Sequence, residues 1–503
     1  MHKLQKMWTG FTSGSHFKFF PLFFLLLLFC NHGVLFYPPQ WDEILGLHNQ
    51  ALFLAGHNFS FSQLWAPGQH SFEGSNVYQY GVLPVLHAIW YTFFSPKTVH
   101  LLGHLLNMIC MAGAAAFLSS ILRNRNVSAG CAFGWGIAAL TEPLLYSQTL
   151  SLGQEPPLIL ATVAVLWLAQ RERWRAMMIL AFLAVFLKTS AVVLTFALFL
   201  WLLLRLSADR TQWKTLRIPL AGLFVIVLFQ LFLLQHNVNI AGGGIHTSGA
   251  TAADGSRSLP IYFLRKAWFH AELYFPVLSL IFCAGGAAWG IRTVRQRKMD
   301  WFCAALFLVC AGYAGAYLIA RTALPRYMAV AVIPAILLLA LNWNPRPCLL
   351  IPVIAFFCIA PVFYRPLSFG VRCSGEYLER NAEHVNQTRA NMELCRFLEE
   401  NGQGVPVVAP WPIVQMLTMP ELGYVTKPLP QVYSGRVPFY APVRKLTQPY
   451  DSMPEGTLFV YQENDFEKTG MSNPPLNPPA KNETLFQAGG IRGFTLVYRR
   501  LKR

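Results

Sequence analysis

The sequence is poor in charged residues. Only 13% of its 503 residues are Asp, Glu, Lys or Arg, about half the share found in soluble domains. Hydrophobic residues make up 54% of the chain, and several apolar runs are long enough to cross a bilayer. This scarcity of charge excludes an ordinary soluble enzyme and predicts an α-helical, multi-pass membrane protein.

Acidic residues are particularly few. The chain has 23 Asp and Glu against 40 Lys and Arg, which gives a formal net charge of +17. The basic residues fall in short clusters between apolar runs and do not form one patch, so nucleic acid is not an expected partner. Clusters of this kind are typical of the cytoplasmic loops of membrane proteins.

Signatures of other protein classes are missing as well. The ten cysteines include no CxxC spacing, so neither a zinc ribbon nor a disulfide framework is indicated. No small-residue cleavage site follows the first apolar run, residues 19–36, which we interpret as a retained helix. No repeat with a fixed period is present.

Eleven segments are predicted to span the membrane, and the basic residues give their orientation. The loops on the side of the N-terminus carry seventeen Lys and Arg, against seven on the other side ahead of the C-terminal region, so the N-terminus is expected in the cytoplasm. A 16-residue piece at 80–95 is expected to be an interfacial helix. The predicted spans are residues 19–36, 99–122, 130–146, 155–169, 177–187, 189–206, 218–234, 272–291, 301–320, 328–341 and 349–363.

Two domains are expected. Residues 1–364 would form the membrane domain, with a large first outer loop at 38–98. Residues 365–503 are more polar and would form an extramembrane α/β domain on the outer side. In that region the sequence predicts a helix at 376–401 and strands at 405–409, 457–462 and 494–499.

The first candidate for chemistry is the acidic pair Asp42-Glu43, which directly follows the first span. Ionisable residues at a membrane boundary are often functional, and a carboxylate suits general-base work on an acceptor hydroxyl. The same pair after Pro38-Pro39 also fits the first turn of a helix, where acids face the positive end of the dipole. The local sequence leaves both interpretations open.

Further charged residues recur at the same predicted depth. Glu155 stands at the start of a span, as does Glu142, and either fits a helix-start acid. Lys188 lies between two apolar segments, where a snorkelling side chain is the alternative to an anion ligand. Arg321 and Arg326 precede a late span, and Tyr327 lies beside Arg326. Paired guanidiniums can grip a phosphate, although single ones often serve as anchors.

A divalent metal is neither required nor excluded. The weak candidate ligands are His57, His70 and Glu73.

These residues together resemble the GT-C superfamily of glycosyltransferases, most closely its protein O-mannosyltransferase and lipid A aminoarabinose transferase branch. The resemblance covers residues 17–364 and depends on the pattern of WDE at 41–43, LLYSQ at 144–148 ending at Glu155, Lys188 between short segments, and PRY at 325–327.

The resemblance implies roles for particular residues. Asp42 would be the catalytic base with Glu43 beside it, Glu155 would be the second acid of the outer cavity, and Lys188 and Arg326 would contact a polyprenyl phosphate. The sequence departs from the family's pattern at two places, and both bear on the donor contacts and on the metal. Residues 80–84 read YGVLP where the family has a His/Lys-Pro-Pro element, and Glu155 stands where Asp is common.

The expected function is therefore transfer of a sugar from a polyprenyl-phosphate donor in the membrane lipid to a glycan, lipid or protein acceptor. The expected location is a bacterial inner membrane, with the reaction on the periplasmic face; sequons at Asn58, Asn386 and Asn482 would also suit an endoplasmic reticulum lumen. A flippase for lipid-linked glycans and a non-catalytic subunit of an envelope-assembly complex are the alternatives.

Overall fold

The structure is a computed structural model. The described residues are 17–40, 43–60, 81–240, 276–319, 325–343, 347–363, 383–434, 444–445, 453–462, 482–490 and 493–500. They are mostly helical and include one sheet. The chain divides into two compact units, the first made of residues 1–33, 105–236 and 246–369, the second of residues 34–104, 237–245 and 370–503.

The helices of the described part are α1 (Phe20–Asn31), α2 (Asn49–Gly56), α3 (Val82–Phe93), α4 (Pro96–Arg123), α5 (Ala129–Thr141), α6 (Pro143–Leu150), α7 (Glu155–Gln170), α8 (Trp174–Val185), α9 (Ala191–Ala208), α10 (Trp213–Ile240), α11 (Pro276–Gln296), α12 (Trp301–Ile319), α13 (Ala329–Asn342), α14 (Leu350–Phe363), α15 (Glu383–Asn401) and α16 (Ile413–Thr418).

Apolar helices make this an integral, multi-pass membrane protein. Within the described part, four helices are both long and apolar enough to cross a bilayer: Pro96–Arg123, Ala191–Ala208, Arg210–Leu233 and Trp301–Leu318. Shorter apolar helices accompany them, including α3, whose 12 residues are too few to span, as the sequence predicted. The count of eleven spans stays a prediction.

The prediction of one continuous span at residues 130–146 is wrong. Residues 130–146 form two helices, α5 and α6, which are separated at Glu142. Pro143 has no backbone N–H and disfavours a helical conformation in the residue before it, so the first helix ends there. The carboxylate of Glu142 accepts the N–H of Leu145 at 2.9 Å, which makes this acid an N-cap, the structural alternative expected for it.

In the described part of the first unit, charged residues lie at the two ends of the helices. Glu155 begins α7, Lys188 precedes α9 and Arg326 precedes α13, while Arg205 lies in the last turn of α9. A helix of the length of α7 extends roughly 24 Å. The first unit therefore carries charge at opposite ends of an apolar layer about as thick as a bilayer core.

The second unit contains a six-stranded sheet and the residues of the predicted first outer loop. Its strands are β1 (Val407–Val408), β2 (Val432–Ser434), β3 (Arg444–Lys445), β4 (Leu458–Gln462), β5 (Asn482–Gly490) and β6 (Gly493–Arg500), in the order β3-β2-β1-β4-β6-β5. β3, β2, β1 and β4 pair in parallel, while β6 pairs antiparallel with β4 and β5. The core of the unit includes Ile44 and Leu52 together with Leu394, Leu398 and Val407.

The helix predicted at 376–401 is confirmed from Glu383 onward, and residues 376–382 lie outside the described part. The strands predicted at 405–409, 457–462 and 494–499 are confirmed as β1, β4 and β6. Three strands were missed. β2 and β3 have only three and two residues, and β5 is polar with two glycines at its end, so none carries the alternating apolar pattern that marks a strand.

Candidate active site at the start of α7

Three charged side chains meet at the first residue of α7. The Nζ of Lys188 donates a hydrogen bond to Oε1 of Glu155, and the Nε of Arg326 lies 3.3 Å from the same oxygen. The three side chains are only 4% (Glu155), 10% (Lys188) and 13% (Arg326) exposed. Water screens so enclosed a cluster weakly, so each charge acts strongly on its neighbours.

The local sequence places each charge in a turn between helices. Glu155 is followed by Pro156 and Pro157, which suit the first helical positions because their missing N–H groups have no partner there. Lys188 lies in the turn that joins α8 to α9, and its carbonyl accepts the N–H of Ala191 at 3.0 Å. Arg326 lies in the 3-10 turn Pro325–Met328 that leads into α13. Three separate turns therefore converge at one end of the first unit.

An aromatic ring completes the cluster. Tyr327 lies with its ring centroid 4.8 Å from the Nζ of Lys188 and 5.6 Å from the Cζ of Arg326. The ring face attracts both cations and holds them in one place. Two cations therefore lie against one carboxylate, and paired cations in an enclosed site suit an anionic ligand.

The loop ahead of α7 is shaped to bring Glu155 into position. A Cβ on Gly153 would lie 2.8 Å from Oε2 of Glu155, so a larger residue would displace the carboxylate. The side-chain amide of Asn107 on α4 donates to the carbonyls of Ser151 at 2.8 Å and Gly153 at 3.2 Å. Our sequence analysis missed Asn107. An amide inside the apolar run at residues 105–118 was the available signal.

Four of the predicted site residues are therefore brought together: Glu155, Lys188, Arg326 and Tyr327. Glu43, from the second unit, has a structural contact, because its Oε2 accepts the backbone N–H of Gln40 at 2.9 Å. Asp42, Arg321, His70 and Glu73 lie outside the described residues.

The remaining metal candidate, His57, packs against its own helix. Its ring stacks on Phe53 with centroids 4.0 Å apart, and its Nδ1 lies 2.9 Å from the Phe53 carbonyl oxygen. In the part of the chain that the structure describes, no group of three His, Cys, Asp or Glu side chains is placed to hold a metal ion.

The second unit contains a buried histidine cluster that the sequence did not reveal. The ring of His48 lies 4.9 Å from that of His87 and 6.2 Å from that of His100, and its Nδ1 bonds the hydroxyl of Tyr91 at 2.7 Å. Burial lowers the pKa of His48 well below its ordinary value, and the neighbouring imidazoles add to the effect. Burial also lowers the pKa of His87 to about 3. Both rings are neutral at physiological pH.

Acidic pH should therefore destabilise the second unit. The unfolded chain binds protons on these imidazoles near pH 6.5 and the folded unit does not, so stability is complete above that pH and falls toward pH 3. We expect a loss of about 1 kcal/mol per imidazole between pH 6.5 and 5.5. Hydrogen exchange in α2 and α3 of the full-length protein measures this, and His87→Phe should lower the slope by the contribution of one imidazole. His57→Phe is the control outside the cluster; an unchanged slope in His87→Phe would contradict the prediction.

The fold and the site define a class: a multi-pass membrane protein with a small mixed sheet and a buried cluster of two cations on one carboxylate. No family model matches the chain, and no curated protein matches it. Two solved structures are similar to it in fold, ArnT from Cupriavidus metallidurans in the apo state and the same protein bound to undecaprenyl phosphate. Each comparison has 14% identity, a TM-score of 0.48, and coverage of 94% of this chain and 97% of the other.

Proposed function

We propose that this protein is a membrane glycosyltransferase that moves a sugar from a polyprenyl-phosphate carrier to an acceptor hydroxyl or amine. The observation that carries the proposal is the enclosed cluster of Lys188, Arg326 and Glu155 at one end of the membrane helices. Two cations at that depth suit a phosphate whose lipid tail lies in the bilayer. The sugar attached to the phosphate would then be held at the membrane surface.

The chemistry is a displacement at the anomeric carbon of the sugar. The acceptor oxygen or nitrogen forms the new bond, the bond from the anomeric carbon to the phosphate oxygen breaks, and its electron pair stays on the phosphate. Lys188 and Arg326 stabilise the negative charge that grows on this leaving group. Asp42 takes the proton of the acceptor as general base. Glu155 serves as the counter-ion of both cations until a donor phosphate arrives.

The remaining assignments are part of the same proposal. Tyr327 holds the two cations in place, Arg321 supplies a further contact to the carrier, and Glu43 supports the loop that carries Asp42. The chain crosses the membrane eleven times with its N-terminus in the cytoplasm. The site and the C-terminal domain then face the periplasm of a bacterial inner membrane.

A panel of polyprenyl-phosphate sugars tests the proposal. Purified protein should consume one of them, and Lys188→Met and Arg326→Gln should raise the KM for that donor roughly 10- to 100-fold while changing the KM for the acceptor little, because each variant loses a charged hydrogen bond to phosphate. Lys214→Met and Arg217→Gln are matched controls on exposed cations away from the site. Parallel assays with a chelator decide whether a divalent metal takes part.

Two outcomes would contradict the proposal. If labelled lipid crosses vesicle membranes without forming a new glycosidic bond, the protein is a transporter. If the site variants and their controls behave alike with every donor, the cations at α7 are membrane anchors.

A further inference from the structure

A second polar region lies at the other end of the first unit from Glu155. A cavity of about 410 Å³ opens where α7, α9 and α11 end and α12 begins. The distance along α7 between its two ends is roughly 24 Å. The cavity is therefore separate from the proposed active site. Its lining includes four basic side chains, Arg125, Arg205, Arg292 and Lys298.

The two acids of the cavity each have a cation already. Nη2 of Arg205 lies 2.6 Å from Glu172, and Nη1 of Arg125 lies 3.1 Å from Asp300. The other carboxylate oxygen of Asp300 accepts the backbone N–H of Phe302 at 3.0 Å and so caps α12. Both acids are therefore paired, and two of the four basic side chains have no acidic partner among the described residues.

Those two charges belong to Arg292 and Lys298. Arg292 donates to the backbone carbonyl of Leu341 at 3.1 Å and, at 3.3 Å, to the amide oxygen of Gln296, so its partners in the described residues are neutral. Lys298 has no carboxylate partner within the same described part. Neutral partners orient a guanidinium and leave its charge uncompensated, which is the arrangement that a phosphate would complete.

The cavity also has donors that lack acceptors. The indole N–H groups of Trp201 and Trp289 and the Nε–H of Arg205 are buried without a hydrogen-bond partner among the described residues, and all three side chains line the cavity. Trp201 as a whole is only 2% exposed. Buried donors are rarely left unpaired in folded proteins. Three of them around one basic cavity indicate a ligand rich in acceptor oxygens.

The surface beside the cavity is apolar and exposed. Leu203 and Leu204 on α9 are 43% and 48% exposed, and Ile291 and Val294 on α11 are 55% and 78% exposed. Each lies within one helical turn of a residue that lines the cavity. Acyl chains of the bilayer can cover this surface, which places lipid headgroups beside the cavity.

We propose that this cavity binds the phosphate headgroup of an anionic phospholipid in the leaflet opposite to the active site. Arg292 and Lys298 supply the charge, and the indole N–H groups donate hydrogen bonds to the phosphate oxygens. Basic pockets between membrane helices suit such headgroups. The site is independent of the proposed sugar transfer and involves none of its residues.

The test compares lipid binding to full-length protein in detergent, measured by native mass spectrometry with cardiolipin and with phosphatidylcholine. Binding of cardiolipin should be saturable, and Arg292→Gln/Lys298→Gln should weaken it roughly thirtyfold. The matched control Arg295→Gln/Lys214→Gln removes the same charges from exposed positions that do not line the cavity, and we expect less than about a threefold effect. Trp289→Phe keeps all charges, removes one donor, and should weaken binding several-fold.

The outcomes distinguish a lipid headgroup from a soluble phosphate compound as the ligand of the cavity. Cardiolipin binding that depends on Arg292 and Lys298 supports the lipid headgroup. A different result is that pyrophosphate binds saturably in lipid-free detergent, depends on Arg292 and Lys298, and shows no competition from cardiolipin. That result would support the phosphate site and show that its ligand is a soluble phosphate compound. Equal losses in the two double variants, or no saturable binding of either probe, would overturn the site.

Discussion

Replacing Asp42 by Asn is expected to lower the rate of sugar transfer by roughly 10²- to 10⁴-fold, the contribution that a positioned general base makes. Asn has nearly the same shape as Asp and cannot take a proton from the acceptor at neutral pH. The loss should therefore appear in kcat with little change in the KM for the donor. Initial rates with the donor identified in the panel, at saturating acceptor, measure it.

Glu43→Gln is the matched control for that variant. The carboxylate of Glu43 accepts the backbone N–H of Gln40 at 2.9 Å, and the amide oxygen of a Gln can accept the same bond. We expect this variant to keep most of the activity. A folded Asp42→Asn protein with full activity would remove the mechanism. Loss of activity in Glu43→Gln alone would move the base to the neighbouring residue.

Glu155→Gln is expected to destabilise the ligand-free protein by about 3–5 kcal/mol, the usual effect of removing one partner from a buried ion pair. Lys188 and Arg326 would then lie close together in an enclosed site without the carboxylate that both of them contact. Equilibrium unfolding in mixed micelles, followed by tryptophan fluorescence, measures the difference. Added polyprenyl phosphate should stabilise the variant more than the wild-type protein, because the phosphate supplies the missing negative charge.

A double variant separates this electrostatic effect from a loss of packing. Glu155→Gln/Lys188→Met removes one of the two cations that contact the Glu155 carboxylate in the wild-type protein, so it should recover part of the stability that Glu155→Gln alone loses. If the double variant is less stable than the wild-type protein by the sum of the two single-variant effects, the side chains do not interact energetically. If polyprenyl phosphate stabilises both proteins equally, Glu155 does not compete with the phosphate for the cations.

The two polar regions of the first unit share one design and differ in their charge balance. Among the described residues, the carboxylate of Glu155 contacts two cations at the start of α7, and two carboxylates accompany four cations at its far end. Both regions lie in turns between helices or in the first or last turns of helices, where polar side chains are tolerated near the ends of an apolar layer. Among the described residues of this unit, charge therefore marks the ends of the apolar layer.

Several features of the candidate site could be predicted from local sequence. Pro156-Pro157 after Glu155 indicates a helix start, and PRY at 325–327 stands just ahead of an apolar run, so both charges were expected at helix ends. The break at Glu142 could have been predicted in the same way from Pro143. Our expected span at 130–146 ignored that proline because hydropathy alone does not register a missing N–H.

Other features depended on contacts between distant parts of the chain. Glu155 and Lys188 are far apart in sequence, and Arg326 is farther still, so no periodicity links them. Asn107 supports the loop before α7 from a different helix. The histidine cluster likewise joins His48, His87 and His100 from separate elements. Such pairings follow from how helices pack, which local patterns do not encode.

By itself, the sequence determined that this is a multi-pass membrane protein with its charges at helix ends. The reason is that hydrocarbon tolerates neither unpaired backbone groups nor exposed charge, so that every spanning segment must be apolar. Only the tertiary structure decided that one oxygen of Glu155 joins Lys188 to Arg326, and that four basic side chains surround a cavity at the other end. Those arrangements depend on which helices become neighbours, and the partners at Glu155 interact strongly because they share a site that water barely reaches.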